Sequence, residues 1–348
     1  MKRNHFVPLL LAAFLAFSFS TFAYADDEEK KAPVLPFEVS GYLEFMHWLP
    51  DDIENVFEIY WMVLFLDGDY GDWGVHFDYR FRDRPLGSYP ENNFIEEAYF
   101  YYKTDYGNLK IGKHYMPTGI VWDHTWYGPI AYWREFMCNS NYGFVFEGAA
   151  KAGENVKVGY AAGWYPSSDG LGGGAFYGAG QEFDYGLRDA LVARINPTVT
   201  LADNVDFTIG ASLYKATIKD FPERDSQAYE VDANLNFFDG SLFVEYIDYD
   251  HDVDGPNDIF RGNIIEVEFY YDILKDFDHP FFKGLAFNLS YSKENLDGGN
   301  QFGLGELWLP SVVLSFSDIF SLRVIRCDWE VEGVPIDKAW YFIWTLNF

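Results

Sequence analysis

Acidic residues in the second half of the chain have the spacing of a calcium-binding loop. Asp250, Asp252 and Asp254 alternate, and a glycine follows at position 255. Asp258 stands at the ninth position of the same pattern. In an EF-hand these oxygen ligands are completed by a bidentate Glu at the twelfth position, which here is Arg261. The pattern predicts a weak Ca²⁺ or Mg²⁺ site in a loop, with a solvated acidic loop as the alternative. No other cofactor is expected.

The adjacent residues Asp123 and His124 could serve a hydrolase. Catalytic triads converge in space and not in sequence, so spacing alone identifies no nucleophile for them. The chain contains neither a G-x-S-x-G nor an H-E-x-x-H motif. We therefore expect a protein that is not an enzyme.

Cys138 and Cys327 are the two cysteines of the chain. They could form a disulfide in an oxidising compartment. Cys327 alternates with Ile325 and Trp329, which indicates the apolar, outward face of a strand and would keep it away from an inward loop. The pairing stays open at this point, and two cysteines offer no zinc-site spacing.

Composition restricts the class of protein that carries these residues. The 348 residues include 54 acidic and 25 basic side chains, a net charge of −29, and 20 % are aromatic. Disordered chains are poor in aromatic residues, so disorder is excluded. A chain this acidic repels phosphate backbones, so we expect no nucleic-acid partner.

The first 25 residues have the three parts of a secretory signal peptide. Lys2 and Arg3 form a positive start, an apolar run covers 6–22, and an A-x-A cleavage site ends at Ala25. No second apolar run is long enough for a membrane helix. The exported protein is therefore either soluble or spans a membrane as a β-barrel.

Apolar and polar residues alternate with period two along the rest of the chain, most clearly in 73–82, 229–237 and 264–271. A soluble sandwich also alternates, but its strands are short, whereas these segments are about ten residues long with rings at their ends, as in membrane barrels. Sixteen candidate strands follow: 37–48, 56–66, 70–82, 93–104, 107–115, 142–151, 154–165, 186–195, 204–216, 226–237, 241–249, 260–272, 283–293, 304–316, 319–331 and 338–348.

The connections between these segments alternate between tight turns, such as 67–70, and long loops, such as 166–185. An even strand number with this alternation is typical of transmembrane barrels. The sequence therefore predicts an all-β fold, a sixteen-stranded antiparallel transmembrane β-barrel over 37–348 with long outer loops and an inward-folding third loop. A short periplasmic lead-in at 26–36 precedes it.

The polar faces of the strands would line a wet lumen with two unlike walls, giving a transverse field. An accidental segregation of polar residues is the alternative. The expected basic wall consists of His76, Arg80, Arg82, Lys103, Lys110 and His114, and Asp78 and Glu97 share it. The expected acidic wall consists of Glu230, Asp232, Glu245, Glu266 and Glu268.

The longest connection, 116–141, is too rich in aromatic residues to lie freely in water. We expect it to fold inward and narrow the lumen, while packing on neighbouring loops or on a partner subunit is the alternative. Its candidate constriction residues are Trp122, Asp123, His124, Trp126, Arg134 and Glu135.

The chain ends in a strand whose last residue is Phe348, on one face with Phe342, Trp344 and Leu346. This ending resembles the carboxyl-terminal aromatic signal of bacterial outer-membrane proteins. The resemblance implies recognition by the barrel-assembly machinery.

Residues 93–119, which read NFIEEAYFYYKTDYGNLKIGKHYMPTG, resemble the strand–turn–strand unit of bacterial porins, most of all the phosphate-selective porin O/P type. The resemblance implies a sixteen-stranded, often trimeric, passive diffusion channel whose third outer loop is the constriction. It makes Lys110, Lys113 and Arg134 pore-side candidates. The chain departs from that type because it is short of lysine, so phosphate selectivity is not expected.

We therefore expect an outer-membrane porin that passes small hydrophilic solutes and ions, with a lipid bilayer, lipopolysaccharide and the solutes as partners and a homotrimer as a possible assembly. An ion in the loop at 250–258 could bridge lipopolysaccharide phosphates. One alternative is a substrate-specific channel for a sugar or an anion such as phosphate. The other is a barrel that is not a channel, either an outer-membrane enzyme or a structural, adhesin-like protein.

Overall fold

The computed structural model describes residues 37–50, 55–82, 93–119, 130, 140–167, 187–218, 224–252, 259–274, 282–296, 305–331 and 334–348. The chain divides into two compact units, Met1–Phe37 and Glu38–Phe348, and the second holds the strands apart from Phe37. The predicted signal peptide at 1–25 and lead-in at 26–36 lie outside the described residues. Among the described residues, no helix is long and apolar enough to cross a membrane.

Sixteen strands form a closed antiparallel barrel, in which each strand pairs with its neighbours in sequence and β16 pairs with β1. This confirms the predicted all-β fold, a sixteen-stranded antiparallel barrel. The strands are β1 Phe37–Pro50, β2 Val56–Tyr70, β3 Trp73–Phe81, β4 Asn93–Thr104, β5 Gly107–Tyr115, β6 Ser140–Lys151, β7 Val156–Ser167, β8 Leu187–Ala202, β9 Val205–Ile218, β10 Arg224–Phe237, β11 Gly240–Asp252, β12 Ile259–Asp272, β13 Gly284–Leu296, β14 Glu306–Ser315, β15 Phe320–Val331 and β16 Val334–Asn347.

One end of the barrel carries tight turns, and one of them lies away from its predicted place. The turn between β2 and β3 is Gly71–Asp72 and not 67–70. Asp67 and Asp69 belong to β2, where they pair with His76 and Gly74 in the register of the ladder. The sequence analysis assigned these aspartates to a turn, but Asp67 binds His76 of the adjacent β3 and Asp69 binds Lys103 of β4. We call this end of the barrel the turn end.

The outer face of the strands is apolar and the inner face is polar. On β10, Val231 is 55 % exposed, whereas its neighbours Glu230 and Asp232 are 5 % and 1 % exposed. On β11, Val244 is 41 % exposed and Glu245 is 0 % exposed. Soluble proteins bury the apolar face of a strand, so this arrangement is the inverse of a soluble β-protein and is typical of a barrel with lipid outside.

Part of the interior is filled by an apolar cluster. Ile264, Leu307 and Ile325 pack there with Ile130 and Cys327, each 1 % exposed or less. The prediction that Cys327 lies on the outward face is therefore wrong, because β15 carries apolar residues on both faces and alternation cannot tell them apart. Cys138 lies outside the described residues, so the predicted disulfide remains a prediction.

Candidate functional site

The basic residues of β3 lie on the inner face, as predicted, and each has a partner. Arg80 donates through Nη2 to Asp78 Oδ2 at 2.9 Å and to the Tyr115 hydroxyl at 2.9 Å. His76 Nδ1 lies 2.6 Å from Asp67 Oδ1. The Asp67 carboxylate comes from the β2 extension that the sequence analysis took for a turn.

Arg82 is only 3 % exposed and stacks on two rings of β2. Its guanidinium carbon lies 4.0 Å from the centroid of the Trp61 ring and 4.3 Å from that of Tyr60. Such cation–π contacts are strong when they are desolvated. Arg82 is therefore engaged by the wall and does not project freely into the lumen.

The basic residues of β4 and β5 are also paired. Lys103 Nζ lies 2.7 Å from Asp69 Oδ1 at the turn end, and Lys110 Nζ lies 2.7 Å from Glu147 Oε1. His114 is 1 % exposed. Its ring packs against those of Tyr99 and Tyr165, at centroid distances of 5.9 and 5.2 Å. Lys113, which the family resemblance suggested, donates to the Ile95 carbonyl at 2.6 Å.

These contacts match the cations of the predicted basic wall with carboxylates. Asp78 was expected on this wall, but Asp67, Asp69 and Glu147, which reach their cations from other strands, were not. A β-bulge in β4, opposite Asp78 and Tyr79 of β3, leaves Glu96 as an additional carboxylate whose Oε1 lies 3.9 Å from Arg80 Nη1. The wall is a network of alternating charges and rings.

The five predicted acidic residues do come together on the inner face of β10, β11 and β12, and none is more than 8 % exposed. The ladder register places Asp232 opposite Glu245, and Glu245 opposite Glu266. Side chains directly opposite each other on one face of a sheet have Cβ atoms about 5 Å apart, so three carboxylates form a row near the middle of the strands.

Arg194 of β8 belongs to this site, although the sequence analysis did not include it. Its Nη2 lies 2.7 Å from Asp232 Oδ2 and its Nη1 lies 3.2 Å from Glu230 Oε1. It also donates to the Ser212 hydroxyl at 2.7 Å. The 186–195 segment has apolar residues on both faces, so alternation does not assign Arg194 to the inner one.

The segment after β5 crosses the interior to reach the acidic row. Gly119 adopts a positive φ of 62° and its amide donates to Ser212 Oγ of β9 at 3.3 Å. A Cβ atom at this position would lie 2.7 Å from Glu245 Oε1 and 2.8 Å from Glu230 Oε1. Since β5 pairs with β4 and β6, Gly119 contacts strands that are remote from β5 around the barrel.

Ile130 is a second described point of the 116–141 connection. It is 0 % exposed, and its amide donates to Ser292 Oγ of β13 at 3.0 Å. The Ser292 hydroxyl in turn donates to Glu266 Oε1 at 2.8 Å. The six predicted constriction residues, Trp122, Asp123, His124, Trp126, Arg134 and Glu135, lie outside the described residues.

The predicted metal loop is described only in part. The guanidinium of Arg261 forms an ion pair with the Asp250 carboxylate, with Nε 3.2 Å from Oδ2. The residue that replaces the bidentate Glu of an EF-hand therefore binds the first expected ligand. Asp254 and Asp258, and the side chain of Asp252, lie outside the described residues.

The carboxyl-terminal residue closes the sheet next to β1. Phe348 is 57 % exposed. Its backbone exchanges two hydrogen bonds of 3.0 Å with Gly41. The aromatic ring that ends the chain is thus displayed on the outer surface at the turn end.

Comparison with solved structures finds the same architecture. The structure is similar to Salmonella typhi OmpF in complex with daunomycin, with a TM-score of 0.67, 13 % identity, and 90 % of this chain and 97 % of that chain covered. The outer membrane channel DcaP of Acinetobacter baumannii is similar with a TM-score of 0.56 and 12 % identity, and 90 % of this chain and 97 % of that chain are covered. The trimer form of OmpT, an outer membrane protein of Vibrio cholerae, is similar with a TM-score of 0.56 and 11 % identity, and 90 % of this chain and 99 % of that chain are covered.

No protein-family model and no curated protein matches the sequence. At sequence identities of 11–13 %, the similarity to the solved structures shows a shared fold.

Proposed function

We propose that the protein is an outer-membrane porin, a passive diffusion channel for small hydrophilic solutes and ions. The observation that carries the proposal is the charged interior of a sixteen-stranded barrel, which the 116–141 connection reaches at Gly119 and Ile130. Barrels of this strand number are wide enough to leave an aqueous lumen. The connection then narrows the lumen to a constriction that excludes large solutes.

The exterior supports insertion into a bilayer. Large apolar side chains are exposed on strand after strand, including Phe100, Trp164 and Leu191 at 65 %, 44 % and 56 %. An apolar surface this extensive marks a membrane or protein interaction surface, and strands that are apolar outside and polar inside suit an outer-membrane barrel. The exposed ring of Phe348 fits recognition by the assembly machinery, and the outer loops would face lipopolysaccharide.

The interior favours cations over anions. Arg80 and Lys110 are each held by carboxylates and Arg82 by rings. On the acidic wall, by contrast, Glu245 adds a third buried carboxylate to the two that Arg194 already serves. A row of carboxylates across a narrow opening attracts cations and orients dipolar solutes.

A homotrimer is the assembly we propose. Solved barrels of this fold include a trimer form, that of Vibrio cholerae OmpT. The apolar exterior offers the surface that such an assembly would bury.

Single-channel conductance of the refolded protein in a planar bilayer tests the function. We expect large ohmic current steps and, under a KCl gradient, a reversal potential biased toward K⁺. A bias toward Cl⁻ would contradict the cation preference and would indicate that the basic wall sets the selectivity. Folded, inserted protein without current steps would overturn the channel and favour an enzymatic or structural barrel.

A substrate-specific channel is the second candidate, because rings form a continuous band on the inner wall. Aromatic faces with polar edges can bind a sugar ring. Saturable block of the current by a mono- or disaccharide, and not by inorganic phosphate, would support it. Successive ring centroids lie 6.1, 6.4 and 5.0 Å apart along Tyr42, Phe65, His76 and Tyr99.

A further inference from the structure

We propose that Glu230, Asp232 and Glu245 form a binding site for one divalent cation, with Ca²⁺ preferred over Mg²⁺. The site is distinct from the predicted loop site at 250–258. The proposal rests on the geometry of the inner wall and not on channel activity. The tests of cation binding and of conductance can therefore give opposite results.

The three side chains are placed to share an ion. Each offers a carboxylate oxygen, and these oxygens all lie within 4.8 Å of one another. Asp232 and Glu245 are directly opposite on adjacent strands, and Glu230 lies two residues from Asp232 on the same face. Because all three are held by the sheet, the site is organised before an ion arrives.

The buried carboxylate of Glu245 indicates a missing positive partner. Glu245 is 0 % exposed, and among the described residues no N–H group or cation donates to either of its oxygens, whose neighbour is the Glu230 carboxylate. Its Oε1 and the Oε1 of Glu230 both lie within 3 Å of the position that a Cβ atom on Gly119 would occupy. Burial of an ionised carboxylate without a hydrogen bond or a counter-ion is strongly unfavourable. A bound cation would supply the missing interaction.

The charge of the site matches a divalent ion. Arg194 is the one described cation that pairs with the cluster, through Glu230 and Asp232. Three carboxylates and one guanidinium leave a charge of −2, which a divalent cation neutralises. Arg194 need not leave, because each carboxylate has two oxygens with about four acceptor positions.

The irregular ligand set favours the larger ion. All of the ligand separations are below 4.8 Å, which is within the limit of about 5 Å that two ligands of one Ca²⁺ can span. Ca²⁺ accepts an irregular set of carboxylate oxygens. Mg²⁺ demands a near-ideal octahedron at shorter distances and gives up its waters reluctantly.

Calorimetric titration of the full chain, refolded in detergent and freed of metals with a chelator, tests the site. We expect one Ca²⁺ per chain, with Mg²⁺ binding more weakly. Glu245→Gln keeps the shape of the side chain and removes its charge. It should weaken Ca²⁺ binding by at least about tenfold, because even the outer partners of metal ligands contribute about 10- to 100-fold. Asp250→Asn, in the other candidate site, is the matched control and should bind Ca²⁺ as the wild type does.

The unfolding temperature of the wild-type protein provides a readout that needs no variant. A ligand that binds only the folded state stabilises it, so Ca²⁺ should raise this temperature with a concentration dependence that matches the titrated affinity. Wild-type protein that binds no Ca²⁺ would overturn the proposal. Equal binding by Glu245→Gln, or loss of binding in Asp250→Asn alone, would also overturn it.

Discussion

Arg194 and Asp232 form an ion pair across an intervening strand: Nη2 of the arginine on β8 lies 2.7 Å from Oδ2 of the aspartate on β10. β9 lies between them, and the residue opposite Asp232 on β9 is Gly210. A Cβ atom on Gly210 would lie 2.2 Å from Asp232 Oδ2 and 2.4 Å from Arg194 Nη2. The missing side chain of Gly210 therefore provides the space in which the ion pair forms.

Gly210→Ala should destabilise the barrel, because the added methyl group occupies the position of the ion pair. Breaking a buried ion pair by displacing one partner costs about 3–5 kcal/mol. Urea unfolding of the protein in lipid vesicles would measure the loss in free energy of unfolding. Gly153→Ala is the control, since nothing lies within 4 Å of the Cβ atom that it adds. Equal stability of the two variants would contradict the arrangement around Gly210.

Arg194→Gln should be more damaging than the removal of an exposed arginine. It leaves Glu230 and Asp232 buried without their cation, and we expect a loss of about 3–5 kcal/mol. Arg261→Gln is the matched comparison, because the Arg261 side chain is 55 % exposed where it pairs with Asp250. Exposed ion pairs contribute about 0–1 kcal/mol to the free energy of unfolding. The same unfolding experiment compares them, and a small loss for Arg194→Gln would mean that the carboxylates are satisfied by other means.

Strand periodicity, together with the strand number and the alternation of tight turns and long loops, was sufficient to predict the barrel, because alternation is set by the two faces of each strand. It failed where both faces are apolar. Arg194 was missed and Cys327 was assigned to the outer face for this reason. Among the partners of the basic wall, Asp78 and Glu97 were expected there, whereas Asp67, Asp69 and Glu147 were missed because they depend on the register between strands. The bulge at Glu96 cannot be read from spacing either. The sequence analysis expected the 116–141 connection to fold inward because of its aromatic content, but the contact of Gly119 with Ser212 depends on which strands face each other across the barrel.

Glu268→Gln should reduce the cation preference of the channel. Glu268 is 8 % exposed on the inner face of β12, so loss of its charge weakens the negative potential of the lumen. The reversal potential under a KCl gradient should move toward zero. Asp318→Asn removes a charge from the exposed turn between β14 and β15 and should leave the reversal potential unchanged at physiological salt, where screening acts over about 8 Å. Equal shifts for both variants would indicate that total charge and not the inner wall sets selectivity.

An engineered disulfide between positions 130 and 292 should fix the 116–141 connection to the inner wall, because Ile130 contacts Ser292 in the structure. The Ile130 amide nitrogen lies 3.0 Å from Ser292 Oγ. With a backbone N–Cα bond of about 1.5 Å, the two Cα atoms are then at most about 7 Å apart, within reach of a disulfide when aligned. Ile130→Cys with Ser292→Cys, in a chain that carries Cys138→Ser and Cys327→Ser, should cross-link on mild oxidation and change the single-channel conductance reversibly with a reductant. Ser226→Cys on β10 is the matched partner for Ile130→Cys, because Ser226 is also buried on the inner face but three strands away. Cross-linking to position 226 in preference to 292 would mean that the connection crosses the interior along a different line.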